Sequence, residues 1–212
     1  ISYAAASLLE PWGCVLAAYT QRRRLYPEAG GIMWIVGQPG DGETYQFSKG
    51  LEYPKVIVLT DVPPEILTFA RKTKSTIIEK NGLTVEDYPI LSEELTQGMG
   101  FDDIVVLNPQ SAEIIGQISR LIARRGTMNL VGQRPLDGYA DADVGRLHYD
   151  YIAFLGNQGP DIATSYGEER NRCELRPNGV AVFIGAGGPM GQMHVQRALE
   201  MPDGPKLIVA TE

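Results

Sequence analysis

The sequence has few of the residues that staple a fold or hold a metal. Cysteine occurs twice, at Cys14 and Cys173, and histidine twice, at His148 and His194. Two cysteines this far apart give neither a disulfide framework nor a spaced metal motif, so a reducing cytoplasm is the default expectation. Positive charge is also scarce. Nineteen Lys and Arg against 26 Asp and Glu leave a formal net charge of −7, which argues against a nucleic-acid or membrane-surface partner. A small anionic ligand remains compatible, because backbone N–H groups bind anions without net positive charge. No apolar run approaches membrane-spanning length, and no signal peptide is evident. The chain starts at Ile1 and stops on Glu212 after an apolar run, so it reads as a piece of a longer protein.

What is present is an ordinary globular composition, 43% hydrophobic and 21% charged over 212 residues. That is enough for one large domain or one domain and part of another. The most informative stretch is Gly179–Glu212. An apolar run, Val180 to Ile184, enters Gly185-Ala-Gly-Gly-Pro-Met-Gly191. A helix-like segment follows over Gln192 to Met201, then Leu207 to Ala210, then Thr211-Glu212. Strand, glycine turn, helix, strand and acid is the layout of a dinucleotide-binding βαβ unit.

An earlier stretch repeats the plan. Ile32 to Val36 leads into Gly37-Gln-Pro-Gly-Asp-Gly42, and Lys55-Val-Ile-Val-Leu-Thr60 ends on Asp61. A helix is predicted between them over Glu43 to Leu51. The two copies align residue by residue: Gly40 meets Gly188, Lys49 meets Arg197, and Leu51-Glu52 meets Leu199-Glu200. The glycine-to-acid separations are 24 residues from Gly37 to Asp61 and 27 from Gly185 to Glu212.

The remaining pattern is an alternation. Helices are predicted from Pro11 to about Arg23, from Pro64 through Lys72, in the later half of Leu83–Gly98, and from Ser111 to Arg125 with Gly126 as its cap. Strands are predicted at Val56–Leu59, Ser75–Ile78, Ile104–Leu107, Met128–Val131 and Tyr151–Leu155. Arg22 to Arg24 reads as a solvated helix end. This rhythm predicts an α/β fold, a doubly wound parallel Rossmann sheet followed by the opening βαβ of a second Rossmann-like unit. The expected boundaries are a linking helix over 1–28, a first nucleotide-binding domain over 29–160, a connection over 161–178 and a truncated second unit over 179–212.

Glycines let a pyrophosphate approach backbone N–H groups at a helix N-terminus. In the later turn Gly185, Gly187, Gly188 and Gly191 carry no acid among them, and the fingerprint can start at Gly185 or at Ala186. The earlier turn, with Gly37, Gly40 and Gly42, has Asp41 and Glu43 where phosphate charge would lie. Asp61 and Glu212 are each placed to accept from ribose hydroxyls and to repel a 2′-phosphate, favouring NAD over NADP. Asp61 also suits a helix N-cap before Val62-Pro63. Asn108, Gly132 and Asn157 fall at strand ends, where ligands of such sheets bind. His148 and His194 read as structural, Cys14 as a core residue on an apolar helix face, and Cys173 has no evident partner.

Leu8-Leu-Glu-Pro-Trp-Gly-Cys-Val-Leu-Ala-Ala-Tyr19, the first βαβ unit, Gly100–Leu107, Ala123–Gly132 and Leu147–Gly156, in that order, resemble the medium-chain dehydrogenase/reductase superfamily. These are the zinc-type alcohol, polyol and sorbitol dehydrogenases, and a branch similar to sorbose-phosphate reductases fits the second unit better. The resemblance covers roughly residues 1–160. It implies an NAD-dependent oxidoreductase that transfers hydride between a nicotinamide and an alcohol or ketone, with a homo-oligomer compatible. It matches Glu10 to a glutamate in or beside the catalytic zinc site. The family's other zinc ligands, a cysteine and a His-Glu pair, belong to an N-terminal catalytic domain outside this chain. Zinc is therefore expected only in the longer protein, this chain alone is expected to be inactive, and no catalytic residue is assigned. Two other readings of the same pattern are a non-catalytic Rossmann scaffold, dimerisation or NAD-sensing module, and a methyltransferase-like domain that binds S-adenosylmethionine.

Overall fold

The computed structural model describes residues 2–20, 24–167 and 174–212. They form two compact units. One is discontinuous, Ile1–Arg22 with Asn171–Glu212, and is called the outer unit below. The other, Arg23–Arg170, is inserted within it along the chain.

The outer unit begins with α1 (Tyr3–Ala6) and α2 (Leu9–Thr20). The insert contains β1 (Ile32–Val36), β2 (Val56–Thr60), α3 (Pro64–Ala70), β3 (Thr76–Glu79) and α4 (Asp87–Thr96). It continues with β4 (Phe101–Leu107), α5 (Ala112–Ser119), β5 (Ile122–Val131), α6 (Val144–Tyr149) and β6 (Ala153–Asn157), then a short 3-10 turn over Ile162–Ser165. The chain returns to the outer unit with β7 (Val180–Ile184), α7 (Pro189–Glu200) and β8 (Leu207–Thr211).

The insert is the doubly wound sheet that the alternation predicts. Its six strands are parallel and lie in the order β3-β2-β1-β4-β5-β6. That is the Rossmann order, with the reversal between β1 and β4. A sheet covered on both faces explains the unbroken apolar runs. Trp34, Val36, Val58 and Ile104 face α4 and α5, packing with Tyr88, Leu91, Ile115 and Ile118. Met33, Ile35, Ile57 and Val105 face the other way, with Ile66 and Ala70 of α3. Trp34 is fully buried, and its indole N–H donates to Thr60 Oγ1 at 3.0 Å, so the ring carries no unpaired donor into the core.

The helix predicted over Glu43 to Leu51 does not form. The stretch is extended, and its backbone hydrogen bonds go to other parts of the insert. Tyr45 N–H donates to Glu65 Oε1 at 3.2 Å, Gln46 N–H to Pro160 O at 2.9 Å, and Ile162 N–H to Gln46 O at 2.8 Å. Tyr45 and Phe47 point inward while Gln46 and Ser48 point out, a period of two rather than 3.6. Tyr45, Leu51 and Ile162 cover the sheet face on which that helix would have packed.

The helix predicted over Ser111 to Arg125 ends at Ser119. Ser111 caps its start through Ile114 N–H at 3.3 Å. Beyond it Phe101 N–H donates to Leu121 O at 2.8 Å, and Ile122 pairs with Phe101 in the sheet. Ile122 thus reaches the core from a strand. Arg146 donates to Arg120 O at 3.2 Å and to Ile122 O at 2.6 Å, satisfying carbonyls that a longer helix would have paired. Gly126 is no cap: it lies in β5, where a Cβ would come within 2.8 Å of Ala123 O. The predicted sixth strand also moves, because Tyr151 is a turn residue with φ +55° and pairing starts at Ala153.

Arg24, read as part of a solvated helix end, is half-buried; Arg22 and Arg23 lie outside the described residues. The Arg24 guanidinium donates to Asp103 Oδ2 at 3.0 Å. Asp103, 1% exposed, also accepts from Glu28 N–H at 2.7 Å and from Thr127 Oγ1 at 2.6 Å. A buried carboxylate is tolerable only with such a full set of donors. Of the span read as a connection, Ile162, Ala163 and Tyr166 are buried in the insert. Cys173 lies outside the described residues.

In the outer unit β7 and β8 pair in parallel, Val180 with Leu207 through Ile184 with Thr211. Helix α2 lies against α7. Tyr19 OH and His194 Nδ1 are 2.8 Å apart, and Arg197 sits over the Tyr19 ring while pairing with Glu174 at 2.8 Å. Burial pushes the Tyr19 phenol above its ordinary pKa; Glu174 adds to this and Arg197 opposes it. His194 is therefore a packing residue of the α2–α7 contact.

Candidate functional site

The two glycine turns follow equivalent strands but differ in every feature a phosphate would use. In the outer unit Gly185 takes φ +79°, a conformation that suits glycine, and reverses the chain after β7. Gly188 is the N-cap of α7, with no side chain occupying the cap, and Pro189 opens the first turn. Gly191 lies one turn in. A Cβ there would run into Gly185 O and within 2.6 Å of Ala186 Cα, so the glycine lets the helix pack closely on the strand end. The tasks of the fingerprint's first glycine are shared: Gly185 makes the turn, and Ala186 lies beneath Gly191. Gly187 faces the end of β8, where a Cβ would be 3.5 Å from Glu212 Cγ. The structure thus brings Gly185, Gly187, Gly188, Gly191 and Glu212 together at the start of a 12-residue helix.

In the insert, Gly37 is glycine for a different reason. A Cβ there would strike Asp61 O and approach within 2.9 Å of Val62 Cα, so the residue permits the ends of β1 and β2 to converge. Gly40 has φ +77°, and the Cβ positions of Gly40 and Gly42 are open. No helix begins here. Asp41 turns inward, accepting from Asn108 Nδ2 at 3.1 Å and from Tyr45 OH at 2.7 Å. Burial, then the hydrogen bond to Asp41, push the Tyr45 phenol well above its usual range, so it stays a proton donor to the carboxylate.

Asp61 sits at the end of β2 but its carboxylate is engaged. Both oxygens accept from Gly82 N–H, at 3.0 and 3.2 Å, while its own N–H donates to Asn81 Oδ1 at 2.9 Å. It makes no cap for α3, whose N-cap is Pro63. Asn108 takes φ +47° and lies where β4 ends. Gly132 lies against it, with a Cβ position only 2.9 Å from Asn108 Cα. Asn157 Nδ2 donates to Ser165 Oγ at 2.6 Å and anchors the 3-10 turn.

Glu10 lies exposed on α2 and accepts from Cys14 Sγ at 3.3 Å. That hydrogen bond, with desolvation and the nearby charge adding to it, raises the thiol of Cys14, which is exposed rather than in the core, above its ordinary pKa. Among the described residues no group of three or more His, Cys, Asp or Glu is placed to hold a metal. The described residues by themselves therefore make no zinc site. His148 is exposed on α6, edge-on to Tyr149. Among the described residues no helix is long and apolar enough to cross a membrane.

Sequence reasoning missed Gln38, Gln110 and Tyr45 as members of the first turn. Gln38 Nε2 donates to Asn108 O at 2.9 Å, and Gln110 Nε2 to Gln38 Oε1 at 3.3 Å. The amides Gln38 after β1 and Asn108 and Gln110 after β4 were the available signal.

Alcohol and polyol dehydrogenases are among the known proteins to which the chain is similar. No family model matches the chain. A mannitol-1-phosphate 5-dehydrogenase of Aliivibrio fischeri is 24% identical, with 97% of this chain and 54% of that protein covered. Among solved structures, an alcohol dehydrogenase zinc-binding domain protein from Burkholderia ambifaria is 19% identical, with 89% of this chain and 48% of that one covered, at a TM-score of 0.44. A benzyl alcohol dehydrogenase from Acinetobacter calcoaceticus is 17% identical, with 94% and 53% covered, at a TM-score of 0.46. The chain spans about half the length of each of these proteins.

Proposed function

We propose that this chain is the nucleotide-binding part of an NAD-dependent, zinc-type alcohol or polyol dehydrogenase, and that NAD is held by the outer unit. The observation that carries this is the turn Gly185–Gly191 opening α7 with Glu212 beside it. The fit is chemical. The glycines leave the N-terminal N–H groups of α7 approachable by a pyrophosphate, and no acid other than Glu212 stands at the turn. Glu212 would accept from ribose hydroxyls and repel a 2′-phosphate, so NAD is favoured over NADP. The helix that bears Glu10 belongs to the same unit, which supports reading the outer unit as the dehydrogenase's own nucleotide fold. The cofactor would supply hydride transfer to a ketone or from an alcohol. Zinc chemistry would need ligands beyond the described residues, so no step is assigned to it here.

The insert is a Rossmann scaffold without dinucleotide binding. Asp41 and the missing helix support that second reading. The experiment is calorimetric titration of the 212-residue chain with NAD, NADP and S-adenosylmethionine. NAD should bind, more tightly than NADP, and S-adenosylmethionine should not. Gly191→Val should abolish NAD binding while Asp61→Ala leaves it unchanged. Loss of binding on Asp61→Ala would move the site to the insert, and no binding of either nicotinamide would remove the proposal.

A further inference from the structure

The glycine turn of the outer unit is held by a side chain that is not among its glycines. Gln192, exposed on the first turn of α7, folds back and donates from Nε2 to Gly187 O at 2.7 Å. Its backbone N–H donates to Gly188 O at 2.9 Å and makes the first backbone bond of α7. One residue thus draws two successive carbonyls of the turn toward the helix. The peptide between Gly187 and Gly188 is otherwise weakly held. Its N–H, that of Gly188, reaches Gly185 O only at 3.4 Å, longer than an ordinary N–H···O bond. A peptide plane between two glycines rotates at little steric cost. Pro189 brings no N–H, so the donors that α7 offers an anion are the N–H groups of Met190 and Gly191, ahead of the first helical bond.

We infer that Gln192 is a positioning residue for the pyrophosphate of NAD: its side chain locks the Gly187–Gly188 peptide with the carbonyl oxygen turned away from the anion. A rotated peptide would turn that oxygen out of the helix, and its partial charge has the sign of a phosphate. Glutamine suits the task because its amide donates without carrying charge, whereas an ionised glutamate of the same length only accepts. Gly187 also stands against Glu212, its Cβ position 3.5 Å from Glu212 Cγ. The same hydrogen bond therefore fixes the backbone on which the acid beside the turn packs. The role rests on Gly185–Gly191 being the NAD turn, and it assigns to a side chain what the glycines alone leave loose.

The test is calorimetric titration of the 212-residue chain with NAD, in wild type and in Gln192→Leu, Gln192→Glu and Gln192→Lys. Gln, Leu, Glu and Lys have nearly equal helix propensity, so a role confined to the helix predicts equal affinities. A donor role predicts an order. Gln192→Leu, which cannot donate, should bind NAD about tenfold more weakly, as the loss of one hydrogen bond implies. Gln192→Glu, an acceptor beside a pyrophosphate, should be weaker still. Gln192→Lys restores a donor and should bind at least as well as wild type. A second readout needs no ligand: amide hydrogen exchange at Gly188, followed by NMR, should be about tenfold faster in Gln192→Leu. NAD bound equally by wild type and Gln192→Leu, or Gly188 exchange that does not move, would overturn the inference and leave the proposed function standing. A wild-type chain that binds neither nicotinamide would remove the proposed function and this role with it.

Discussion

Two turns of nearly the same sequence plan stand in one chain, and they part after the last glycine of each. In the outer unit, Gly191 is followed by more than two turns of helix, and the acid after the next strand leans toward the glycines. In the insert, Gly42 is followed by extended chain, and the acid after the next strand holds the Gly82 amide. The glycines themselves do not distinguish the two. Gly37 permits strand ends to converge; Gly191 permits a helix to approach a strand. A glycine count therefore reports close backbone approach, and only the element that follows says whether an anion would find donors there.

The contrast can be broken at several points. The largest effect is expected where the insert is held shut. Asp103→Ala removes the buried carboxylate that accepts from Arg24, Glu28 N–H and Thr127 Oγ1, and the loss of three hydrogen bonds to one charged group should destabilise the insert by about 3–5 kcal/mol. Urea unfolding with Trp34 fluorescence would read this, and NAD affinity of the outer unit should be unaffected below the transition. Next comes the pair of acids. Glu212→Ala should weaken NAD binding by about 1.5–3 kcal/mol, the value of hydrogen bonds to a charged group, as measured by calorimetry. Asp61→Ala should instead leave affinity alone and lower insert stability by about 1 kcal/mol through the loss of its hydrogen bonds to Gly82. Reversed outcomes would exchange the roles of the two turns.

The smallest effect is pH-dependent. Asp161 is partly buried, which by itself would raise its pKa. Hydrogen bonds from Ser48 and Ala163, with the charge of Lys49, outweigh this and hold the carboxyl below its ordinary value. A folded pKa below the unfolded one gives stability that is present above the unfolded value, about 3.9, and is lost as pH falls through the folded value. The insert should therefore weaken in strong acid, and the acid branch of its stability profile should flatten in Asp161→Asn. An unchanged acid branch would detach Ser48 and the extended stretch from this anchor.

Much of this architecture was legible because burial on both faces writes itself as continuous apolar runs. Ile32–Val36 and Val56–Thr60 are the clearest cases, buried in all but their first residues; Val180–Ile184 forms with the expected limits too, although Val180, Val182 and Ile184 are exposed. The misread elements are those where two periods compete. Tyr45 and Phe47 alternate with polar residues, yet alignment with the later helix pulled the reading toward 3.6. Ile122 fits the helical face of α5 as well as it fits a strand, and Gly100 with Arg146 decided the matter from a distance. The Arg24–Asp103 pair was illegible because the residues are far apart in sequence and each looks like surface. At the first turn Asp41 reads from the sequence as hostile to phosphate, but its partners Asn108 and Tyr45 become visible only with β4 beside β1.

The clamp on Asp103 has a consequence for how such a chain is built. Arg24 and Glu28 bind it from the start of the insert, and Tyr166, near the insert's end, packs close enough for the Asp103 charge to help burial raise its phenol. Residues near both ends of the insert thus lie about one carboxylate. A module whose two ends converge can be spliced into a host at a single peptide position without stretching the host, and can be lifted out the same way.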